Sequence, residues 1–272
     1  MTTETSSLEL EPYLRLGVFF GILVIMMLAE CFFPRRDEQF RARRWPSNLS
    51  LVVLNTLLLR LILPGASVAL AIWAEGRGVG LLHWLPIPGW LGFIVAIVLL
   101  DMLIYWQHRF SHSIPMLWKF HRLHHADIMI DVTTGSRFHP VEIIFSMLVK
   151  LVAILLLGPS AWAVIIFETL LNGTAMFNHS NINLPLGVDR VVRKVLVTPD
   201  MHRVHHSILA REYNRNFGFS LSLWDYWFNS YTAQPGAGHL QMEIGLPYFR
   251  EAGESRLPRM ITQPFRAPAE KP

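Results

Sequence analysis

The chain has 272 residues, 52% of them hydrophobic and only 16% charged, with a formal charge of +4. This balance lies on the membrane side of soluble averages, and the basic residues sit in short clusters beside apolar runs, which argues against a nucleic-acid partner. A single cysteine, Cys31 at the end of an apolar run, excludes an internal disulfide, a cysteine-ligated zinc and an iron–sulfur centre, and reads as an ordinary buried thiol.

Residues 1–15 form a polar, acidic N-terminal tail, unlike the positive start of a signal peptide. Leu16 to Phe33 is long and apolar enough to span as a helix, and Arg35, Arg36, Arg41, Arg43 and Arg44 place its end on the cytoplasmic side. Pro46-Ser47-Asn48 opens a second run, Leu49 to Trp73, interrupted by Arg60 and Pro64-Gly65. A Gly-, Pro- and Trp-rich connection leads to a third, Leu91 to Trp106, which runs straight into His108. Val141 to Leu157 and Ala161 to Phe177 flank Gly158-Pro159 and predict a helical hairpin, fully spanning or re-entrant. Lys150 and Glu168 lie at similar distances from that turn and are expected to pair across it. After Asn181 the chain turns mixed and soluble-looking, and from Arg250 it reads as a loose tail. The expected fold is all-α: an integral membrane helical bundle of about three spanning helices plus the hairpin 141–177, with a cytoplasmic histidine-rich cap. In domain terms, residues 16–107 are transmembrane helices, 108–232 a catalytic unit that includes the hairpin, and 233–272 a C-terminal extension.

Eight of the twelve histidines fall in three clusters: His108-Arg109-Phe110-Ser111-His112, His121-Arg122-Leu123-His124-His125 and His202-Arg203-Val204-His205-His206. On a helix, positions i, i+3 and i+4 share a face, so each cluster presents two or three imidazoles together. If the spans alternate, all three clusters and His179 emerge on one side of the membrane, where two facing HRxHH words could grip a pair of ions. Nitrogen-only ligation suits iron, copper or zinc and not magnesium or calcium. The zinc-protease His-Glu-x-x-His word and the Glu-x-x-His word of soluble di-iron bundles are both absent. Asp101, seven residues before His108, is placed to orient an imidazole, or else to pair with Arg60. Asp200 and Asp225 are weaker candidates for the same task, since either could cap a helix or turn. Arg122 and Arg203, inside the two words, read as charges near lipid head groups.

These clusters follow Asp101-x-x-x-Tyr105-Trp106 and are joined by Phe138-His139-Pro140-x-Glu142, Phe177-Asn178-His179-Ser180, Thr198-Pro199-Asp200-Met201-His202 and Asn216-Phe217-Gly218. Over roughly residues 90 to 232 the set resembles the fatty acid hydroxylase superfamily, also called the sterol desaturase family. The resemblance implies a membrane di-iron oxygenase that uses O2 as co-substrate to hydroxylate or desaturate a lipid C–H bond. It implies two iron ions (or zinc in the isolated protein) on His108, His112, His121, His124, His125, His202, His205 and His206. A further ligand comes from between the two words, for which His179 fits best, and no catalytic group is implied beyond the ligands. His139 and Glu142 are candidates for supporting the ligands or facing substrate. Trp106, Trp118, Phe120, Phe138, Phe177 and Trp224 are candidates for a lipid path or for interfacial anchors, and His83 and His239 for interface or loop residues.

The chain carries no Gly-rich dinucleotide fingerprint, haem-attachment word or cysteine cluster, so the electrons are expected from a separate ferredoxin, cytochrome or reductase. The competing class is a non-catalytic metal-binding membrane protein, a sensor or transport component.

Overall fold

A computed structural model describes residues 11–38 and 40–266. The polar tail expected over 1–15 lies outside the described residues as far as Leu10, and the chain is already helical at Glu11. Regular structure among the described residues is helical, with three isolated β-bridges and no strand. The bundle is built from α1 (Glu11–Phe32), α2 (Arg41–Ile62), α3 (Ala66–Arg77), the one-turn α4 (Leu81–Trp84), α5 (Gly89–Ser113), α6 (Pro115–His125), α7 (Pro140–Leu157) and α8 (Ala161–His179). Shorter helices follow: α9 (Leu186–Val192), α10 (Pro199–His205), α11 (Ala210–Tyr213), α12 (Leu223–Trp227), α13 (Gly238–Gln241) and α14 (Leu257–Arg266).

Four stretches are long and apolar enough to cross a membrane: Arg15–Phe32, Arg41–Trp84, Gly89–Ser113 and Pro140–Leu157. Their large apolar side chains point outward, Phe20, Leu28, Leu57, Ile94 and Leu156 among them, as expected where the surroundings are lipid rather than water. The second stretch is one interrupted pass. Pro64 offers no N–H and Gly65 sits at φ +61°, so the helix breaks and restarts as α3. Asn55 donates to the Phe138 carbonyl at the start of α7, Ser67 to Glu168, and Gly80 backs onto Gly158 at the far turn, so α2 and α3 climb in one direction. A Cβ on Gly80 would stand 2.3 Å from the Gly158 nitrogen, and only glycine permits that contact.

The expected hairpin is α7 and α8. Gly158 caps α7 at φ +66°, and Ser160 caps α8 by accepting from the Ala163 N–H. Its second arm is the centre of the bundle rather than a lipid-facing pass: α8 packs against α1, α3, α5 and α10. Lys150 Nζ meets Glu168 Oε1 at 2.6 Å, the expected pair, and Arg15 Nη2 meets Oε2 at 2.8 Å. One buried carboxylate is thereby held by two cations and the Ser67 hydroxyl.

Four expectations are corrected. Cys31 is exposed, not buried. The stretch after Arg250 is not loose as far as Arg266: α14 docks on α6 and α2 and buries Met260 and Gln263. The basic run after α1 is only partly a surface charge. Arg44 is buried, bonding Asp127 at 2.6 Å and Asp131 at 2.7 Å, and Arg35 pairs with Asp200 at 3.1 Å. Finally, Arg122 and Arg203 are fully buried and face no head groups. Arg122 Nη2 donates to the carbonyls of Gln263 and Pro264 in α14, and Arg203 pairs with Asp200.

Candidate metal centre

Each histidine cluster sits at the C-terminal end of a helix, within about its last two turns. α5 ends with His108 and His112, one turn apart. α6 opens on Pro115, whose missing N–H costs nothing at a helix start, and ends on His121, His124 and His125. α10 opens on Pro199 behind a Thr198 cap that accepts from the Met201 N–H, and carries His202 and His205 into its final residue, with His206 next. α8 ends on His179.

These four ends meet and bury all nine imidazoles. They sort into two groups whose ligand atoms lie within 4.8 Å of one another: His108, His112, His121, His125 and His205 in one; His124, His179, His202 and His206 in the other. The two HRxHH words are interleaved rather than one word per group. The first gives two imidazoles to the first group and one to the second; the second gives one and two. α5 completes the larger group and α8 the smaller. His125 and His206 stack across the boundary, ring centroids 4.6 Å apart.

The orientation of four rings is fixed from behind. His108 Nδ1 bonds the Phe217 carbonyl at 2.8 Å, His205 Nδ1 the Arg215 carbonyl at 2.7 Å, and His179 Nδ1 the Ala175 carbonyl at 2.8 Å. His121 Nδ1 meets Glu142 Oε1 at 2.6 Å. A carbonyl or carboxylate at Nδ1 holds the hydrogen there and leaves Nε2 as a lone pair aimed inward. The Nε2 atoms of His124 and His202 converge on that of His179 at 3.1 and 3.0 Å. Nε2 of His108, His121 and His125, and both ring nitrogens of His206, are buried with no hydrogen-bond partner. Leaving a buried polar atom unsatisfied costs about 1–3 kcal/mol each, so a set of convergent lone pairs fits divalent cations far better than it fits packing alone. Burial, and then the neighbouring imidazoles, hold His124, His125, His202 and His206 well below the ordinary histidine range, neutral and able to ligate.

Of the candidate supporting residues, Glu142 alone touches a clustered imidazole. Asp101 meets neither histidine nor Arg60. Two helical turns, about 10 Å, separate it from His108, and its carboxylate accepts from Trp224 Nε1 at 2.8 Å and the Leu221 N–H at 3.2 Å. His139 caps α7, its Nδ1 accepting from the Val141 N–H, while its Nε2 bonds the Ile261 carbonyl. Asp200 holds Arg35 and Arg203, with buried His239 at 3.6 Å. Asp225 accepts from the N–H groups of Phe217 and Gly218 and so braces the loop that reaches His108. A Cβ on Gly218 would stand 2.7 Å from that carboxylate, which explains the glycine in Asn216-Phe217-Gly218. His83 lies in the one-turn helix α4 at the far turn, exposed and beside Gly158.

Aromatic rings wall the site. Phe138 lies flat on His124, centroids 4.5 Å apart, and Trp118 backs His112 and His125 and stacks on Tyr213. The braces on Nδ1 that sequence reasoning missed are backbone carbonyls, which carry no side-chain signal. The nearest available sign was the Asn-Phe-Gly word: Asn216 stands at φ +53° and ties itself to Met201 and Thr232, aiming the carbonyls on either side of it.

Residues 93–230 of the chain match the family described as Fatty acid hydroxylase. The chain belongs to that family. Among characterised members and relatives, it is 27% identical over 142 residues to the ornithine lipid hydroxylase OlsE of Rhizobium tropici, covering 52% of this chain and 42% of that protein. It is 30% identical over 158 residues to the alkylglycerol monooxygenase of Danio rerio, covering 56% and 33%. To the very-long-chain aldehyde decarbonylase GL1-5 of Oryza sativa subsp. indica it is 26% identical over 209 residues, covering 71% and 30%. The chain thus spans less than half the length of each of these three relatives. No solved structure matches it. Both HRxHH words, the α5 pair and His179 lie inside the family segment, as do Glu142 and Asp225.

Proposed function

We propose that this fatty acid hydroxylase family member is an O2-dependent di-iron oxygenase that hydroxylates or desaturates a C–H bond of a membrane lipid, with electrons from a separate donor. One ion would be held by His108, His112, His121, His125 and His205, the other by His124, His179, His202 and His206. The observation that carries this reading is the sorting of nine buried imidazoles into two adjacent groups at one end of an apolar bundle. Two irons supply, with O2 and electrons, an oxidant strong enough for an unactivated C–H bond.

The chain's own residues supply the setting. Glu142 and the carbonyls of Phe217, Arg215 and Ala175 hold four rings in the ligating tautomer. Leu100, Ile104, Phe167 and Phe219, with Phe138 packed against them, form an apolar layer on the bundle side of the histidines and keep water from that face. An alkyl chain suits this layer, and the names of the relatives, ornithine lipid hydroxylase and alkylglycerol monooxygenase, support a lipid over a water-soluble substrate. We place the histidine end on the cytoplasmic side, where the exposed Arg43 and the partly exposed Arg36 and Arg41 are the remaining basic residues.

The test is lipid profiling by mass spectrometry in cells making the intact protein or a His124→Ala, His205→Ala variant, which removes one ligand from each group. A lipid that gains one oxygen or loses two hydrogens only with the intact protein is the expected result. Identical profiles, with O2 and electron donors present and iron bound, would overturn the reading in favour of a non-catalytic metal-binding protein.

A further inference from the structure

Residues 186–228 have the composition of a soluble cap, yet parts of the segment pack alongside the apolar length of α5 and α8 rather than beyond their ends. Two helices act as rulers. On α5, Arg109, Trp106, Tyr105, Asp101 and Val98 are met in turn by this segment. The Phe228 carbonyl accepts from Arg109, the Phe228 ring packs on Trp106 and Tyr105, Trp224 and Leu221 donate to Asp101, and Val98 packs in the cluster of Trp224 and Leu221. Asp101 stands five residues, about 7–8 Å at 1.5 Å per residue, inside Trp106, the end of the apolar run. On α8, Ser220 bonds Thr174, five residues inside His179. Both rulers agree.

The segment before it is tied to the same depth. Val197 donates to the Ser220 carbonyl, Ser222 to the Val195 carbonyl, and Tyr226 to the Arg193 carbonyl. Here the usual arrangement of a surface helix is inverted. α9 and the residue that caps it turn their charged pair, Asp189 and Arg193, inward at 2.5 Å. Outward it shows Leu186 (68% exposed), Val188, Val191 (65%) and, just beyond, Val195, Leu196 and the neighbouring Trp227 (69%). A water-facing helix would be built the other way round. Arg190 and Lys194 are exposed on the same stretch, as expected of a helix lying among anionic head groups.

We infer that the face formed by Leu186, Val188, Val191, Val195, Leu196 and Trp227 is inserted in the plane of the bilayer, in the leaflet on the histidine side. Its occupant is lipid, since the face continues the apolar belt of α5 at the same depth and carries cations at its edge. The unit after Asn181 is then a wedge in one leaflet rather than a cap resting above it.

The experiment uses the full-length protein in nanodiscs of phosphatidylcholine and phosphatidylglycerol in equal parts, in a Cys31→Ser background. Spin labels are attached to Val191→Cys, Val195→Cys and Trp227→Cys. Lipid and water references are Ile94→Cys on the outer face of α5 and Ala252→Cys in an exposed turn. The readout is collision with O2 against collision with a water-soluble nickel chelate. The proposal expects the three positions to match Ile94→Cys in favouring O2, and an aqueous maleimide to react with them at least about tenfold more slowly than with Ala252→Cys. Val191→Cys decides if Trp227→Cys fails to fold: a ratio nearer the Ala252→Cys reference overturns the proposal, because a face reserved for a soluble partner would be open to water in lipid alone.

Discussion

Asp225 never touches His108, yet it sets where that imidazole points. Its carboxylate takes the N–H groups of Phe217 and Gly218 at 2.8 Å each, and the Phe217 carbonyl so positioned takes His108 Nδ1 at 2.8 Å. Asp225→Ala frees this loop and the aim of Nε2 with it. Metal analysis of the purified variant should show the ion on the His108 group lost before the one on the His179 group, a stoichiometry moving from two toward one. Equal loss of both would mean that the loop serves general stability alone.

Glu142 is the one carboxylate on a clustered imidazole. Supporting partners of this kind typically change metal affinity by about 10–100-fold, so Glu142→Ala should weaken binding by that order in a competition titration. Glu142→Gln keeps an acceptor oxygen and should recover most of the affinity. Equal weakening by both would show that the negative charge, not the hydrogen bond, is what His121 requires.

Glu168 holds two cations, not one. Lys150→Met should therefore be tolerated better than Glu168→Ala, which strands Lys150 and Arg15 beside each other and should cost on the order of 3–5 kcal/mol, the usual penalty for breaking a buried pair. The reciprocal exchange Lys150→Glu with Glu168→Lys should not rescue, because it leaves Arg15 against the new lysine. Thermal denaturation in detergent ranks the three; a full rescue would refute the Arg15 contact.

The buried imidazoles make the metal-free protein acid-sensitive. Burial holds His124, His125, His202 and His206 well below the ordinary histidine value when folded, so the unfolded chain takes up protons that the folded one refuses. Stability is intact above about 6.5 and falls as pH drops through that value toward the folded-state values. Melting temperatures of chelator-treated protein at about pH 8 and about pH 5.5 should differ clearly, with metal-loaded protein changing less. A flat profile without metal would contradict the burial of these rings.

Arg122 ties the first HRxHH word to the far end of the chain. Arg122→Ala leaves the Gln263 and Pro264 carbonyls short of a donor, at about 1–3 kcal/mol. Limited proteolysis should then cut within α14 much faster than in the parent, and an unchanged cleavage rate would show that Met260 and its neighbours suffice.

Much of this was legible in the sequence. The apolar runs, the Gly158-Pro159 turn and the histidine spacing each follow from local periodicity, and Lys150 and Glu168 could be paired by counting from one turn. What could not be read depends on distant packing. Asp101 sits at the right spacing for His108, but a loop more than a hundred residues away claims its carboxylate. Arg122 and Arg203 look like surface charges until α14 and Asp200 cover them. The assignment of imidazoles to groups was hidden for the same reason, because it depends on how α6 and α10 cross.

That crossing also fixes an order of events in the making of the protein. The larger group needs His205, and the smaller needs His202 and His206. Neither can close before the second word is synthesised, by which point every residue of α1 to α8 has already been joined to the chain. An ion held by either group would therefore be closed in by the last of the four helices to be made. A chain arrested before Thr198 carries six of the nine imidazoles and can complete neither group.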